Sequence, residues 1–193
     1  MEQSMIAYRA GTVDAEAPRE VLVSPWGEVV STNGTFVMDE EAGRLVIEAF
    51  AQHGTDLPVD YEHQTLGGEY ASPSGQAPAA GWIRKLSLVV PGEIKPPGLY
   101  AEIEWTQPAR EQIAARQYRY LSPVAMVRRC DRRMTALHSV ALTNKPAIVG
   151  MQAIVNRNRN VEEPVDGMEE DQRMTEAVER LRTQLAMEAG SDA

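Results

Sequence analysis

A chain of 193 residues, 43% of them hydrophobic, can bury one substantial core and not two, so a single domain with an appended tail is expected. No run of about 18 apolar residues occurs, and the opening Met1-Glu2-Gln3-Ser4-Met5 lacks the basic-then-apolar pattern of a secretory signal, which predicts a cytosolic protein without a membrane span. The net charge of −9 weighs against nucleic acid as a partner, and the single cysteine, Cys130, excludes an intramolecular disulfide and any zinc-type cysteine spacing.

Short segments rich in β-branched and aromatic residues near 5–9 and 20–24 predict the first strands. A helix follows over 39–52, with acids in its first turn and Ala42, Leu45, Val46, Ala49 and Phe50 at helical spacing, ending near Gly54. Residues 57–61 form the next strand. Leu66 to Pro78 is a small-residue loop, suited to a flap or to plain connection. Strands over 81–90 and 98–106 flank a Pro/Gly-rich hairpin tip at 91–98. In the second strand Leu99, Ala101, Ile103 and Trp105 share one face, with Glu102 and Glu104 on the other, so one face is wet.

Pro108 to Gln117 predicts a short helix with proline in its first turn and Ile113 as anchor. It leads into strands over 118–128 and 134–143. The stretch 137–142 is apolar on both faces apart from His138 and Ser139, as for a central strand covered on each side. Cys130 is expected to be a small strand residue, not a nucleophile. Beyond Asn160 the chain turns acidic: from Val161 onward ten acids face three arginines, a charge of −7, leaving −2 for the rest. Met174, Val178, Leu181 and Leu185 mark a two-heptad stripe, too short to fold alone, which predicts a terminal helix docking on a partner, a sister chain or the body. The expected fold class is α+β, β-dominated, with a main domain over 1–156 and an acidic, helical tail over 157–193.

Candidate chemistry resides in the strand-like segments. His63 closes Val59-Asp60-Tyr61-Glu62-His63, and Ser122 lies in Tyr118-Arg119-Tyr120-Leu121-Ser122-Pro123. A serine hydroxyl is a weak nucleophile until a base takes its proton, so a serine and a histidine on rigid elements point to acyl transfer. A zinc site built from His63, His138 and Glu62 lacks recognisable ligand spacing. Arg116, Arg119, Arg128, Arg129, Arg132 and Arg133 surround the serine segment, and read either as a docking surface for an acidic peptide, such as the chain's own tail, or as a solvated rim.

The ordered blocks Asp60-Tyr61-Glu62-His63, Ala80-Gly81-Trp82-Ile83, Gly98-Leu99-Tyr100-Ala101, Tyr118 to Pro123 and Ser139 to Ala147 closely resemble the Mu-like phage protein I family, the capsid maturation protease and scaffold of Mu-like phages. That family is distantly similar to other prohead proteases and to herpesvirus assemblins, so the resemblance implies a closed or partly closed β-barrel surrounded by helices. It also implies Ser122 as nucleophile and His63 as general base. The third member falls on Ser139, which stands where assemblins begin a His-Val-Ala-Leu run, with His138 as the alternative. Neighbours on a strand face opposite ways, so only one of the two can address His63 without a bulge. Assemblins carry paired arginines beyond this strand; Asn144-Lys145-Pro146-Ala147 replaces them here, which leaves backbone amides to hold an oxyanion.

The function so implied is a serine endopeptidase acting on scaffold and major capsid proteins inside an assembling prohead in the host cytoplasm, without cofactor or metal, and as a homo-oligomer if the final helix pairs. The alternative is a catalytically silent scaffolding module with the same fold, and a zinc hydrolase ranks third.

Overall fold

The computed structural model describes residues 16–155. The strand expected near 5–9 and the acidic tail with its terminal helix lie outside the described residues. Eight strands and two helices follow in the order β1 (Glu20–Pro25), β2 (Gly27–Ser31), β3 (Gly34–Met38), α1 (Glu40–His53), β4 (Leu57–Tyr61), β5 (Ala79–Val89), β6 (Gly98–Trp105), α2 (Gln107–Ala114), β7 (Tyr120–Val127) and β8 (Met134–Thr143). Two single 3-10 turns, Gln64–Leu66 and Gly68–Tyr70, occupy the loop after β4.

Six strands form one sheet in the order β1-β6-β5-β4-β8-β7, antiparallel except where β4 runs parallel to β8. The sheet curls until its two edges, β1 and β7, approach each other, giving the partly closed barrel that the resemblance implied. β4 and β8 lie inside the sheet and carry few exposed side chains, whereas Glu104 of β6 is exposed beside buried Ile103 and Trp105. Val59, Leu121, Val140 and Leu142 fall on one face of the β4-β8-β7 region, within the main core.

α1 packs against β8 and β5. Asp39 caps it, its carboxylate accepting from the Ala42 N–H at 2.9 Å, and Glu40 and Glu41 favour its positive end. Gly54 stops it in a left-handed conformation that a side chain would strain. Gly43 sits at the helix–sheet contact: a Cβ there would fall 2.5 Å from Leu88 Cδ2, so glycine sets how closely helix and sheet approach.

Sequence reasoning did not anticipate the β2–β3 hairpin, which forms its own two-stranded sheet with Ser31 opposite Gly34. Each strand is five residues long and the first begins at Gly27, with one residue between it and the end of β1 at Pro25, so neither offers a long alternating run, although Asn33-Gly34 is a hairpin signal. Cys130 belongs to the exposed turn between β7 and β8, not to a strand, because Arg129-Cys130-Asp131 turns the chain there.

Candidate active site

β7 is an edge strand, and Ser122 lies near its start with its backbone paired only to β8. The side chain is buried and its Oγ accepts from the Ala147 N–H at 3.2 Å, in the segment that follows β8. His63 follows β4 in a left-handed conformation, φ 64°, directly after Glu62 at φ 51°. Two consecutive non-glycine residues in this region bend the chain back sharply at the end of the strand. Ser122 and His63 both line one cleft of about 450 Å³. Pro123, Val124, Ala125 and Val127 continue its wall along β7, the β2–β3 hairpin faces them, and Leu66 and Tyr70 stand beside His63. Tyr70 meets the His63 ring edge-on at 6.0 Å between centroids. His63 Nδ1 is buried without a hydrogen-bond partner among the described residues.

Backbone register fixes which side chains share a face. Asp60 of β4 stands opposite Ala141 of β8, and Ala141 opposite Ser122 of β7. Residues directly paired across strands project to the same side, so Asp60, Ala141 and Ser122 form one row, away from Val59, Val140, Leu142 and Leu121. Ser139, two residues before Ala141, belongs to the same face and is buried. Its hydroxyl meets His138 Nδ1 at 3.2 Å and the Thr65 hydroxyl at 3.5 Å, and makes no hydrogen bond to His63. His138 is exposed: Val124 pairs with Ser139 and the next residue, Ala125, with Leu137, so His138 is the extra residue of a β-bulge that lifts it out of the strand's alternation.

Sequence reasoning overlooked Asp60 as a candidate, although a charged residue inside a buried strand was a legible signal. It is fully buried, its Oδ2 accepts from the N–H of Thr65 at 2.9 Å and from the Thr65 hydroxyl, and its Oδ1 has no partner. Glu62 is exposed and accepts from the Thr143 hydroxyl at 2.6 Å. Burial pushes the Tyr118 phenol up, and the Glu62 charge adds to the shift. Among the described residues no three His, Cys, Asp or Glu side chains converge to hold a metal ion, so His63, His138 and Glu62 form no metal centre.

The arginine cluster divides into different roles. Arg128 binds Asp131 and Glu41, and Arg133 binds Asp39 and Asp131, tying the β7–β8 turn to the start of α1. Arg128 above all holds the Asp131 carboxyl far below its usual range, and Arg133 lowers Asp39. Arg132 donates to the Thr35 carbonyl at 2.8 Å and so fastens the hairpin. Arg119 lies over the Tyr120 ring. Arg129 is exposed at the cleft and forms no ion pair with any described residue.

Comparison with known proteins gives a consistent result. The sequence pattern of the Mu-like prophage I protein, N-terminal domain, matches residues 21–155. Protease I of Escherichia phage Mu is 29% identical over 161 residues, spanning 83% of this chain and 43% of that protein. The Mu-like prophage FluMu I protein of Haemophilus influenzae is 30% identical over 175 residues, spanning 85% of this chain and 46% of that protein. The chain thus spans less than half the length of these relatives. No solved structure matches it.

Proposed function

This chain belongs to the Mu-like prophage I protein family, and on that premise we propose that it is a serine endopeptidase of phage capsid maturation. The observation that carries the reading is that Ser122 and His63, from separate elements, line the same cleft. Ser122 Oγ attacks the scissile carbonyl as His63 takes its proton; the tetrahedral intermediate collapses, His63 returns the proton to the leaving amine, and water hydrolyses the acyl-enzyme. The Ala147 N–H donates to Ser122 Oγ, and in this reading it turns to the carbonyl oxygen as negative charge develops there.

The free edge of β7 suits an extended peptide, which would add as a further strand and carry its scissile bond past Ser122. Residues 1–156 form the protease domain and 157–193 a tether to scaffold or shell. The proposed substrates are scaffold and major capsid proteins of a prohead in the host cytoplasm; that the phage Mu relative is named Protease I supports the proteolytic part of this reading.

Intact-mass analysis over time, with the scaffold protein present, tests this reading. Cleavage by the wild type that is lost in folded Ser122→Ala and His63→Ala supports it, and cleavage persisting in Ser122→Ala rejects the nucleophile. The rival, a silent assembly module, draws on one observation: Ser122 bonds to Ala147 and not to His63. It predicts particles that mature normally without Ser122.

A further inference from the structure

We infer that Asp60, and not Ser139, is the group that orients His63. The inference rests on the reaction proposed above but is carried by a separate set of observations. A carboxylate taken wholly out of water is costly unless a cation or several donors compensate it. Asp60 is fully buried, joins no ion pair of the described residues, and has only Thr65 as donor, both of whose bonds fall on Oδ2. Oδ1 is left bare, and so is the buried Nδ1 of His63, three residues along the same turn. Each atom is the partner the other lacks. The turn that carries them is strained at Glu62 and His63, and such pairs of left-handed residues persist where the surroundings over-determine them, typically at functional sites. Thr65 closes that turn back onto Asp60.

The sheet supplies the spacing. Asp60 and Ser122 flank Ala141 in one row, two strand separations apart, or about 10 Å between backbones. A carboxylate and a serine at that separation leave room between them for one imidazole, provided the residue beneath is small, and Ala141 is small. His63 seated over Ala141 turns Nδ1 to Asp60 and Nε2 to Ser122. Such bonds are often long in a resting enzyme and tighten when substrate arrives. When Nε2 takes the serine proton, Nδ1–H donates to Asp60 Oδ1, and the carboxylate stabilises the imidazolium while remaining ionised.

The competing candidates have other partners. Ser139 links exposed His138 through Thr65 to Asp60, a chain that braces the carboxylate and includes no bond to His63. Glu62 is exposed and engaged with Thr143.

The test compares wild-type 193-residue chain with Asp60→Asn, Glu62→Gln and Ser139→Ala, measuring kcat and KM on the scaffold protein and the His63 tautomer by nitrogen-15 NMR. Asp60→Asn is expected to lower kcat by roughly 10³- to 10⁴-fold with KM little changed, the loss typical when an orienting carboxylate becomes an amide. It should also shift His63 away from the Nδ1–H tautomer, with Glu62→Gln and Ser139→Ala within about tenfold of wild type. An unchanged tautomer in folded Asp60→Asn, or activity within tenfold of wild type, would overturn the assignment. If Asp60→Asn does not fold, the wild-type spectrum decides: a hydrogen-bonded Nδ1–H supports Asp60 and an Nε2–H tautomer rejects it. Should the wild type cleave nothing, the protease reading fails while the tautomer comparison still decides Asp60.

Discussion

Asp60 and Ser122 stand on either side of Ala141, in register on three adjacent strands and on one face of the sheet. Ala141 has no exposed surface, so what occupies the space above it is set by the size of its own methyl group. Ala141→Val is predicted to abolish cleavage while leaving a folded, less stable protein. The added methyl groups stand where the proposed arrangement seats the imidazole, and overpacking a buried site of this kind typically costs about 1–3 kcal/mol. Cleavage assays alongside thermal melts check this. Wild-type activity in Ala141→Val would show that His63 works elsewhere.

The ion pairs joining the β7–β8 turn to α1 give stability a defined pH dependence. Arg133 depresses the Asp39 carboxyl, and Arg128 with Arg133 depresses Asp131. A carboxyl whose folded value lies below its unfolded value of about 3.9 stabilises the fold above that pH and ceases to do so as pH falls through the folded value. Arg133→Met should therefore lower Tm at pH 7, and the gap to wild type should close as pH drops below about 4. Melting curves between pH 2 and 7 measure it. Because these groups are solvent-accessible, high salt should narrow the gap as well.

Much of this architecture was legible in the sequence. The strand over 57–61 coincides with β4, and the helix over 39–52 with α1 to within a residue, because caps, acids and spacing agreed there. The hairpin of β2 and β3 was not, since five-residue strands carry too few alternations to stand out. For the candidate site, chemistry and block order pointed to Ser122 and His63, whereas the proposal of Asp60 as the orienting group depends on register. The parallel pairing of β4 with β8 puts Asp60 beside Ala141, and no local pattern near either residue encodes that pairing. Ser139 was singled out by its place in a motif, yet its hydroxyl is bonded to Thr65 and His138.

Gly43 offers a test of how α1 seats on the sheet. Alanine in a helix interior is favoured over glycine by roughly 0.5–1 kcal/mol, but here its Cβ would overlap Leu88. Gly43→Ala alone is predicted to lower Tm. In a Leu88→Ala background, where the overlap is gone, the same substitution should raise it. Chemical denaturation of the four proteins gives the coupling directly, and additive effects would mean that the helix does not rest on Leu88 through this glycine.

Arg129 bears on which peptides the cleft accepts. Its neighbours Arg128 and Arg133 are committed to Asp131, Glu41 and Asp39, and Arg132 is held on the Thr35 carbonyl, so Arg129 is the cleft arginine that neither a described acid nor the hairpin engages. Ser122 and Val127 are five residues apart on β7, which puts the arginine end of the cleft roughly 16 Å from Ser122. A peptide lying along β7 would bring a residue four or five positions from its scissile bond beside Arg129. Substrates acidic at that position should bind better, and Arg129→Glu should raise their KM by about three- to tenfold with kcat unchanged, a magnitude suited to an exposed charge pair reversed in sign. Peptides neutral at that position should not distinguish the two enzymes. Equal losses on both would place Arg129 in the framework of the turn and not in substrate selection.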